Sequence, residues 1–531
     1  MATKRNSRKT TGGGIALLGK PRGIVQTRVQ AVGPERFGVV AVDCAKARSK
    51  WMLCDFYGRV LIPPTIVEHG RAQLHAATLQ LQEACQQHGL KDSIVAVEMT
   101  GTYHRPVQRA FRQAGYETRL VHPFATRHYR LPASADTKTD DTDLEAIYRA
   151  AVNGFGLLQP EPDELYQRLQ ILERHRRDLV AKRSRLQCQI REGLERCLPG
   201  YAALFPSDDL WAGSVGLFVA RRAGSAEAIR AAGVKGITRW LQDEKLRFWT
   251  RTIEKVVAWS GNAAAADPLA PHLARVWQAL LDDWRQKTAL ILQLERELAE
   301  ILVKTPYLLL LSHPGINVVS ASDLAGELGP IEHYAHAKAI TGRAGLFPSR
   351  YQSDQTDATG PLARHRNARL RAACMRMADN LIKCNAHFRG KSELWKRLGV
   401  DPRDIRCRVA NRAVRTLFQM VSGRRLYQHA SRLDRDYVLD KLLEFHQEHH
   451  TPPHEILRDL ELAAQHIPKH EQAAEAAPLI ARAGPLRRSR LARSQQIGDV
   501  LIAVLARYGI TGLESTGEAQ GPTAVASVGS T

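Results

Sequence analysis

Cysteine is scarce and unpatterned in this chain. Its eight residues stand at 44, 54, 85, 188, 197, 374, 384 and 407, and no two form a C-x-x-C pair. That spacing argues against a zinc site, and sparse free thiols fit a reducing cytosol. No apolar run approaches the ~20 residues of a membrane span, so no membrane partner is expected. The basic start Lys4-Arg-Asn-Ser-Arg-Lys9 precedes only the short run Ile15-Ala-Leu-Leu18, too short for a signal-peptide core. The chain is therefore expected to stay in the cytoplasm, with the nucleoid. No internal repeat is visible. Acid is also in deficit, with 54 Asp and Glu against 76 Lys and Arg, a formal charge of +22. Such an excess suggests a polyanionic partner, most simply nucleic acid. A length of 531 residues calls for two to four domains.

What the chain does have is a stretch on which the rest depends, Lys138-Thr139-Asp140-Asp141-Thr142-Asp143. Leu144 to Ala150 reads as helix. Thr139 or Thr142 can serve as its N-cap, and acids suit its first turn. A spacing of three stacks Asp140 and Asp143 on one face. Neighbouring carboxylates raise each other's proton affinity unless a cation sits between them. Hard oxygen ligands of this kind suit magnesium or manganese. The plain alternative is a capped, solvated helix start.

Upstream segments bear on that choice. Phe37 to Asp43 is an apolar run ending in an acid, which predicts a buried strand delivering Asp43 at its end. Trp51–Phe56 and Gly58–Ile62 predict the next two strands, and Arg71–His88 a helix. Ser93 to Glu98 is a second apolar run ending in an acid, and Glu117–Val121 a further strand. The order is strand, strand, strand, helix, strand, helix, strand, helix. This is the order of a ribonuclease H-like nuclease core, in which gathered carboxylates hold two metals on a scissile phosphate.

Four spaced elements carry a closer likeness: Val-Ala-Val-Asp43, Val-Glu98-Met-Thr-Gly101-Thr-Tyr103-His104, Val121-His-Pro123 and Lys138-Thr-Asp140-Asp-Thr-Asp143. In this order they resemble the RuvC-like DEDD domain of insertion-sequence family one-ten transposases, a domain shared by the Piv-type DNA invertases. The likeness covers roughly 38–152. It implies that Asp43, Glu98, Asp140 and Asp143 are the four catalytic, metal-holding acids, with Mg2+ or Mn2+ as cofactor. Asp136 and Asp141 stand off the pattern.

A second likeness lies downstream. Leu311-Ser-His-Pro314-Gly315-Ile316, then Ala344-Gly-Leu-Phe-Pro348 followed by Ser353, then Gly360 and Arg364-His-Arg-Asn367-Ala-Arg-Leu370-Arg371 resemble the same family's serine-bearing segment. The resemblance implies that Ser353 is a catalytic nucleophile, with Ser349 as the fallback. Asp354 stands where the family usually has glycine, and so does Arg366. Without the resemblance Ser353 reads as an ordinary polar loop serine.

The domain organisation expected is a flexible basic arm over 1–35, the RuvC-like domain over 36–155 and a coiled-coil hairpin over 160–305. A helical insert falls at about 200–268. A mostly helical serine transposase domain follows over 306–395, an accessory basic helical region over 396–510 and a disordered tail over 511–531. The hairpin rests on two heptad-like seams. One is Leu165, Leu172, Leu179 and Leu186; the other is Trp277, Trp284, Ile291 and Leu298. They predict either a self-pairing hairpin or a dimer interface. The first helix also carries Arg168, Arg174, Arg176, Arg177, Lys182, Arg183, Arg185 and Arg191, expected to lie along a phosphate backbone. The insert's Trp211, Trp240, Trp249 and Trp259 are expected in its core. Arg403, Arg406, Arg408, Arg412 and Arg415 form a basic helical stripe. Arg487, Arg488, Arg490 and Arg493 form another cluster.

The fold class expected is thus α/β plus α. The function expected is a transposase and site-specific DNA recombinase. The resemblance implies a structured element-encoded guide RNA and a homo-oligomer, dimer or tetramer, whose protomers share sites. The alternatives are a metal-dependent junction nuclease in which Ser353 is structural, and a nucleic-acid-binding protein without catalysis.

Overall fold

In a computed structural model of the chain, residues 25–130, 139–158, 163–205, 209–213, 215–353, 356–363, 366–427 and 436–467 are described. Asp136, Lys138, Asp354, Arg364, the cluster at 487–493 and the expected tail over 511–531 lie outside them. The chain divides into two units, Met1–Pro162 and Asp163–Thr531.

The N-terminal unit is built on the apolar run that begins at Phe37. That run is β1 (Phe37–Cys44), buried along nearly its whole length, so it must be covered on both faces. It pairs antiparallel with β2 (Arg48–Asp55), which pairs antiparallel with β3 (Val60–Glu68). On its other side it runs parallel to β4 (Asp92–Glu98), which runs parallel to β5 (Glu117–Val121). A short β6 (Gly156–Leu158), not foreseen from sequence, closes the edge antiparallel to β5. The sheet order is β3-β2-β1-β4-β5-β6.

Alternation assigns the faces. Val40, Val42, Val95 and Val97 share a core with Leu81 and Phe111 of α2 (Arg71–Gln87) and α3 (His104–Gln113). Val39, Ala41, Ile94 and Ala96 share the opposite core with Val29 of α1 (Gln26–Val32), Ala125 of α4 (Pro123–Tyr129), and Leu144 and Ile147 of α5 (Asp140–Val152). The segment expected as a basic arm therefore ends in packed structure from Val25. Within it, Arg28 pairs with Asp92 at 2.6 Å and Glu117 at 2.7 Å.

The second unit begins with α6 (Glu164–Cys197), whose N-cap Asp163 accepts from the Leu165 amide at 2.9 Å. It packs along α11 (Ala270–Leu302). Leu179 meets Ile291 and Leu294, Gly193 lies beneath Trp277, and Arg196 pairs with Asp267 at 2.8 Å. The contacts run in opposite order along the two helices, so they are antiparallel, and the two seams meet within one chain. Between them, α7 (Asp209–Ala212), α8 (Gly216–Ala223), α9 (Ala226–Asp243) and α10 (Thr250–Gly261) surround a core shared with the adjoining ends of α6 and α11. Trp211, Trp240 and Trp259 pack against that core. Trp249 does not; it is 81% exposed.

Beyond α11 come α12 (Val318–Leu328), α13 (Ala337–Ala344), the hairpin β7 (Pro348–Ser353) and β8 (Thr356–Leu362), α14 (Ala368–Cys384), α15 (Ala386–Arg397), α16 (Pro402–Ser422), α17 (Asp436–Glu448) and α18 (Pro453–His466). One core runs through these helices, from Tyr166 to Ile467. The expected serine domain and the described part of the accessory region are thus packed as one body. Among the described residues no helix is long and apolar enough to cross a membrane.

Candidate active site

The parity of the strands places two of the four acids together. Asp43 follows Val39 and Ala41 at even steps along β1, and Glu98 follows Ile94 and Ala96 along β4. Both therefore lie on the α5 face of the sheet. Val42 is in register with Val97, so the next step sets Asp43 beside Glu98. The two side chains are close enough for the field of Glu98 to act on the Asp43 carboxyl. Thr100 Oγ1 donates to Glu98 Oε2 at 3.2 Å. Gly101, at φ +50°, turns the chain out of β4 toward α3.

The other two acids arrive on α5. A reciprocal cap fixes its start: the Thr142 amide donates to Thr139 Oγ1 at 3.2 Å, and the Thr139 amide to Thr142 Oγ1 at 3.0 Å. Asp140, Asp141 and Asp143 fill the first turn, where the helix dipole favours negative charge. Asp143 is 2% exposed and Asp140 exposed. The Asp43 carboxyl is pushed up to about 7, first by burial, then by the fields of Glu98, Asp143 and Asp140. The fields of the other three expected acids are therefore all felt at Asp43.

The structure adds two cations that no spacing announced. Arg130 Nε donates to Asp143 Oδ1 at 2.7 Å, and Lys50 Nζ lies 2.7 Å from Asp141 Oδ1. Among the described residues no three His, Cys, Asp or Glu side chains are arranged to hold a metal ion. Arg130 accounts for part of this by turning Asp143 to itself. The donor set nevertheless suits a hard dication: burial and the fields of neighbouring carboxylates raise the proton affinity of Asp43, and a cation between such hard oxygens relieves that cost.

Ser353 lies in the other unit. It ends β7, pairs with Thr356 at the tip of the hairpin and is exposed. It is therefore on a strand and not in the loop that its neighbouring residues predict. Asp354, the nearest carboxylate in sequence, lies outside the described residues. Arg350 and Asp357 form a two-contact ion pair across the strands, Nε to Oδ1 being 2.7 Å. Ser349, the fallback nucleophile, donates from Oγ to Pro361 O at 3.0 Å and so serves the hairpin. The base of the hairpin is held: Asn411 donates to Leu346 O at 2.8 Å, and Arg371 to Ala344 O at 2.9 Å.

The basic faces need correction. Arg174 and Arg177 each lie 3.0 Å from Glu327 Oε1, and Arg176 pairs with Glu295 at 2.5 Å. Arg376 pairs with the buried Asp323. These arginines neutralise buried acids of their own unit, a use that their spacing on α6 did not announce. Arg168, Arg185 and Arg191 stay exposed.

Comparison with known proteins adds two matches. Residues 40–199 match a family described as "Transposase", and residues 307–393 one described as "Transposase IS116/IS110/IS902 family". The chain is also 27% identical over 240 residues to the insertion element IS116 uncharacterized 44.8 kDa protein of Streptomyces clavuligerus. That match covers 44% of this chain and 58% of the relative.

Proposed function

From the chain's matches to two transposase families, we propose that it is a DNA transposase and site-specific recombinase of a mobile insertion sequence. The observation that supports this best is the placement of Asp43 beside Glu98 on the α5 face of the sheet, with Asp140 and Asp143 in the first turn of α5. The family implies a ribonuclease H-like fold for the N-terminal unit, and we read it as RuvC-like.

In this reading Asp43, Glu98, Asp140 and Asp143 would hold Mg2+ or Mn2+. The chemistry such an ion supplies is polarisation of the scissile phosphate and of the leaving oxygen. The Asp43 carboxyl, raised to about 7, accepts and releases a proton near neutral pH. Ser353 Oγ forms the ester to phosphorus, its proton leaves to a base, and the strand oxygen is displaced. No group within 348–353 is a suitable base, so the base comes from elsewhere, in the reading from the acid site of a second protomer. A guide RNA and a dimer or tetramer, with the α6–α11 pair as a coiled coil, complete the proposal. The site of action is the nucleoid.

The test is a denaturing gel of the protein mixed with end-labelled element DNA and Mg2+ or Mn2+. A covalent adduct should form, be lost in Ser353→Ala and be lost in Asp140→Asn. Mixing those two variants should restore part of the activity when protomers share sites. Cleavage by Ser353→Ala would leave a metal-dependent junction nuclease. No cleavage by the wild type on any element DNA would leave a binding protein.

A further inference from the structure

Charge is distributed unevenly over the second unit. On α6, Arg174, Arg176 and Arg177 face acids, but on α15 and α16 most of the basic residues do not. These two helices carry nine Lys and Arg against two acids, Glu393 and Asp404. Arg406 is matched by Asp379 on α14. Lys391, Arg408, Arg412 and Arg415 have no carboxylate partner among the described residues. Arg408, Arg412 and Arg415 share one exposed face of α16 at spacings of four and three.

That face is also preorganised. The guanidinium carbons of Arg408 and Arg412 lie 5.7 and 5.0 Å from the centroid of the Trp395 ring. Cation–π contact holds both guanidiniums beside each other although like charges repel. His387, one and two turns before Lys391 and Trp395 on α15, is held below the usual imidazole range, first by burial and then by Lys391 and Arg412. The positive field there is therefore felt by its neighbours. A cluster of fixed like charges is unfavourable by itself and becomes favourable against a polyanion.

The placement of α16 says which polyanion. Asn411, next to Arg412, donates to Leu346 O at 2.8 Å, two residues before β7 begins. One side of α16 thus grips the base of the Ser353 hairpin while another presents the arginines. The helix lies outside both segments matched by the transposase family. We propose that the α15–α16 face is a phosphate track for the DNA on which Ser353 works, holding backbone and reading no bases. This rests on the reading that Ser353 acts on DNA.

The test uses the full-length protein without divalent metal, so that binding is separated from cleavage. Arg408→Gln/Arg412→Gln is compared with wild type on a random DNA duplex and on an RNA hairpin of equal charge, over a range of salt. Two lost phosphate contacts should lower the slope of log affinity against log salt by about 1.8 on the duplex, with an affinity loss of about tenfold near physiological salt. RNA binding should change little. An unchanged DNA slope would overturn the track, and an equal or larger loss on RNA would overturn its assignment to DNA. Should that double variant melt early, Lys391→Gln/Arg415→Gln provides the same readout away from the tryptophan. Ser353→Ala should keep the wild-type DNA slope whether or not it cleaves, so a failed serine mechanism and a failed track are told apart.

Discussion

Arg177 on α6 donates from Nη2 to Glu327 Oε1 on α12 at 3.0 Å, across 150 residues of sequence. The same nitrogen lies 3.2 Å from Asp323 Oδ1. Glu327 is 1% exposed, so the pair is inside the fold and not a surface decoration. Arg177→Gln leaves two buried carboxylates with less compensation, Arg174 still holding one and Arg376 the other. The expected loss is about 2–4 kcal/mol of stability, read by denaturant unfolding. The salt slope of DNA binding should not change. A changed slope with unchanged stability would restore the phosphate role expected from sequence.

The same two helices approach too closely for any side chain at Gly326. A Cβ there would stand 2.8 Å from Gln170 N and 2.9 Å from Gln170 Cα. Backbone cannot give way as a flexible side chain does, so Gly326→Ala must separate α12 from α6. It would also disturb the bond from Gln170 Nε2 to Gly326 O, now 3.0 Å. A loss of about 1–3 kcal/mol is expected from overpacking, read as a lower thermal midpoint. Gly342→Ala, where a Cβ meets nothing within 4 Å, is the control and should not lose stability.

Glu173 supplies a pH dependence. Burial pushes its carboxyl up from 4.5 to about 8, and Arg176 and Arg177, at 3.4 and 4.0 Å, offset this only in part. Its Oε2 has no hydrogen-bond partner among the described residues. The folded state therefore binds this proton more tightly than the unfolded state. Stability from this group is full below about 4.5 and is lost as pH rises through about 8. Glu173→Gln keeps the neutral shape. The difference in thermal midpoint, variant minus wild type, should grow more positive from pH 5 to pH 8. A flat difference would mean that Glu173 is ionised throughout.

Arg130 competes for the acid site. Its guanidinium holds the nearly buried Asp143, so Arg130→Gln should lower stability without metal by about 2–4 kcal/mol. A dication bound to the native state stabilises it by mass action, and more so where no guanidinium must be displaced. The rise in thermal midpoint on adding Mn2+ should therefore be larger in Arg130→Gln than in wild type, and smaller in Asp43→Asn. Equal rises in all three proteins would show that the metal binds elsewhere.

Much of the acid site was legible. Apolar runs ending in Asp43 and Glu98 are short-range signals, because a doubly covered strand must be apolar along its length. The Thr139–Thr142 cap and the acids of α5 are local as well. Arg130 and Lys50 were not legible, since nothing in their neighbourhoods says which helix or strand they will meet. The hairpin under Ser353 was missed because all of β7 is exposed and shows no alternation of apolar residues.

By itself, then, the order of residues determined the first five strands, most of the helices, the parity that sets Asp43 and Glu98 on one face, and the seams that join α6 to α11. These follow from periodicity and capping, which act over a few residues. Only the tertiary structure decided the use of each charge. Arg174, Arg176 and Arg177 look like Arg408, Arg412 and Arg415 in sequence, as basic stripes on amphipathic helices. The first three are spent on Glu295 and Glu327, brought from more than a hundred residues away. The others stack on Trp395 or stand in solvent. A charge is neutralised by what lies within a few ångströms of it, and that neighbourhood exists only once the chain has folded.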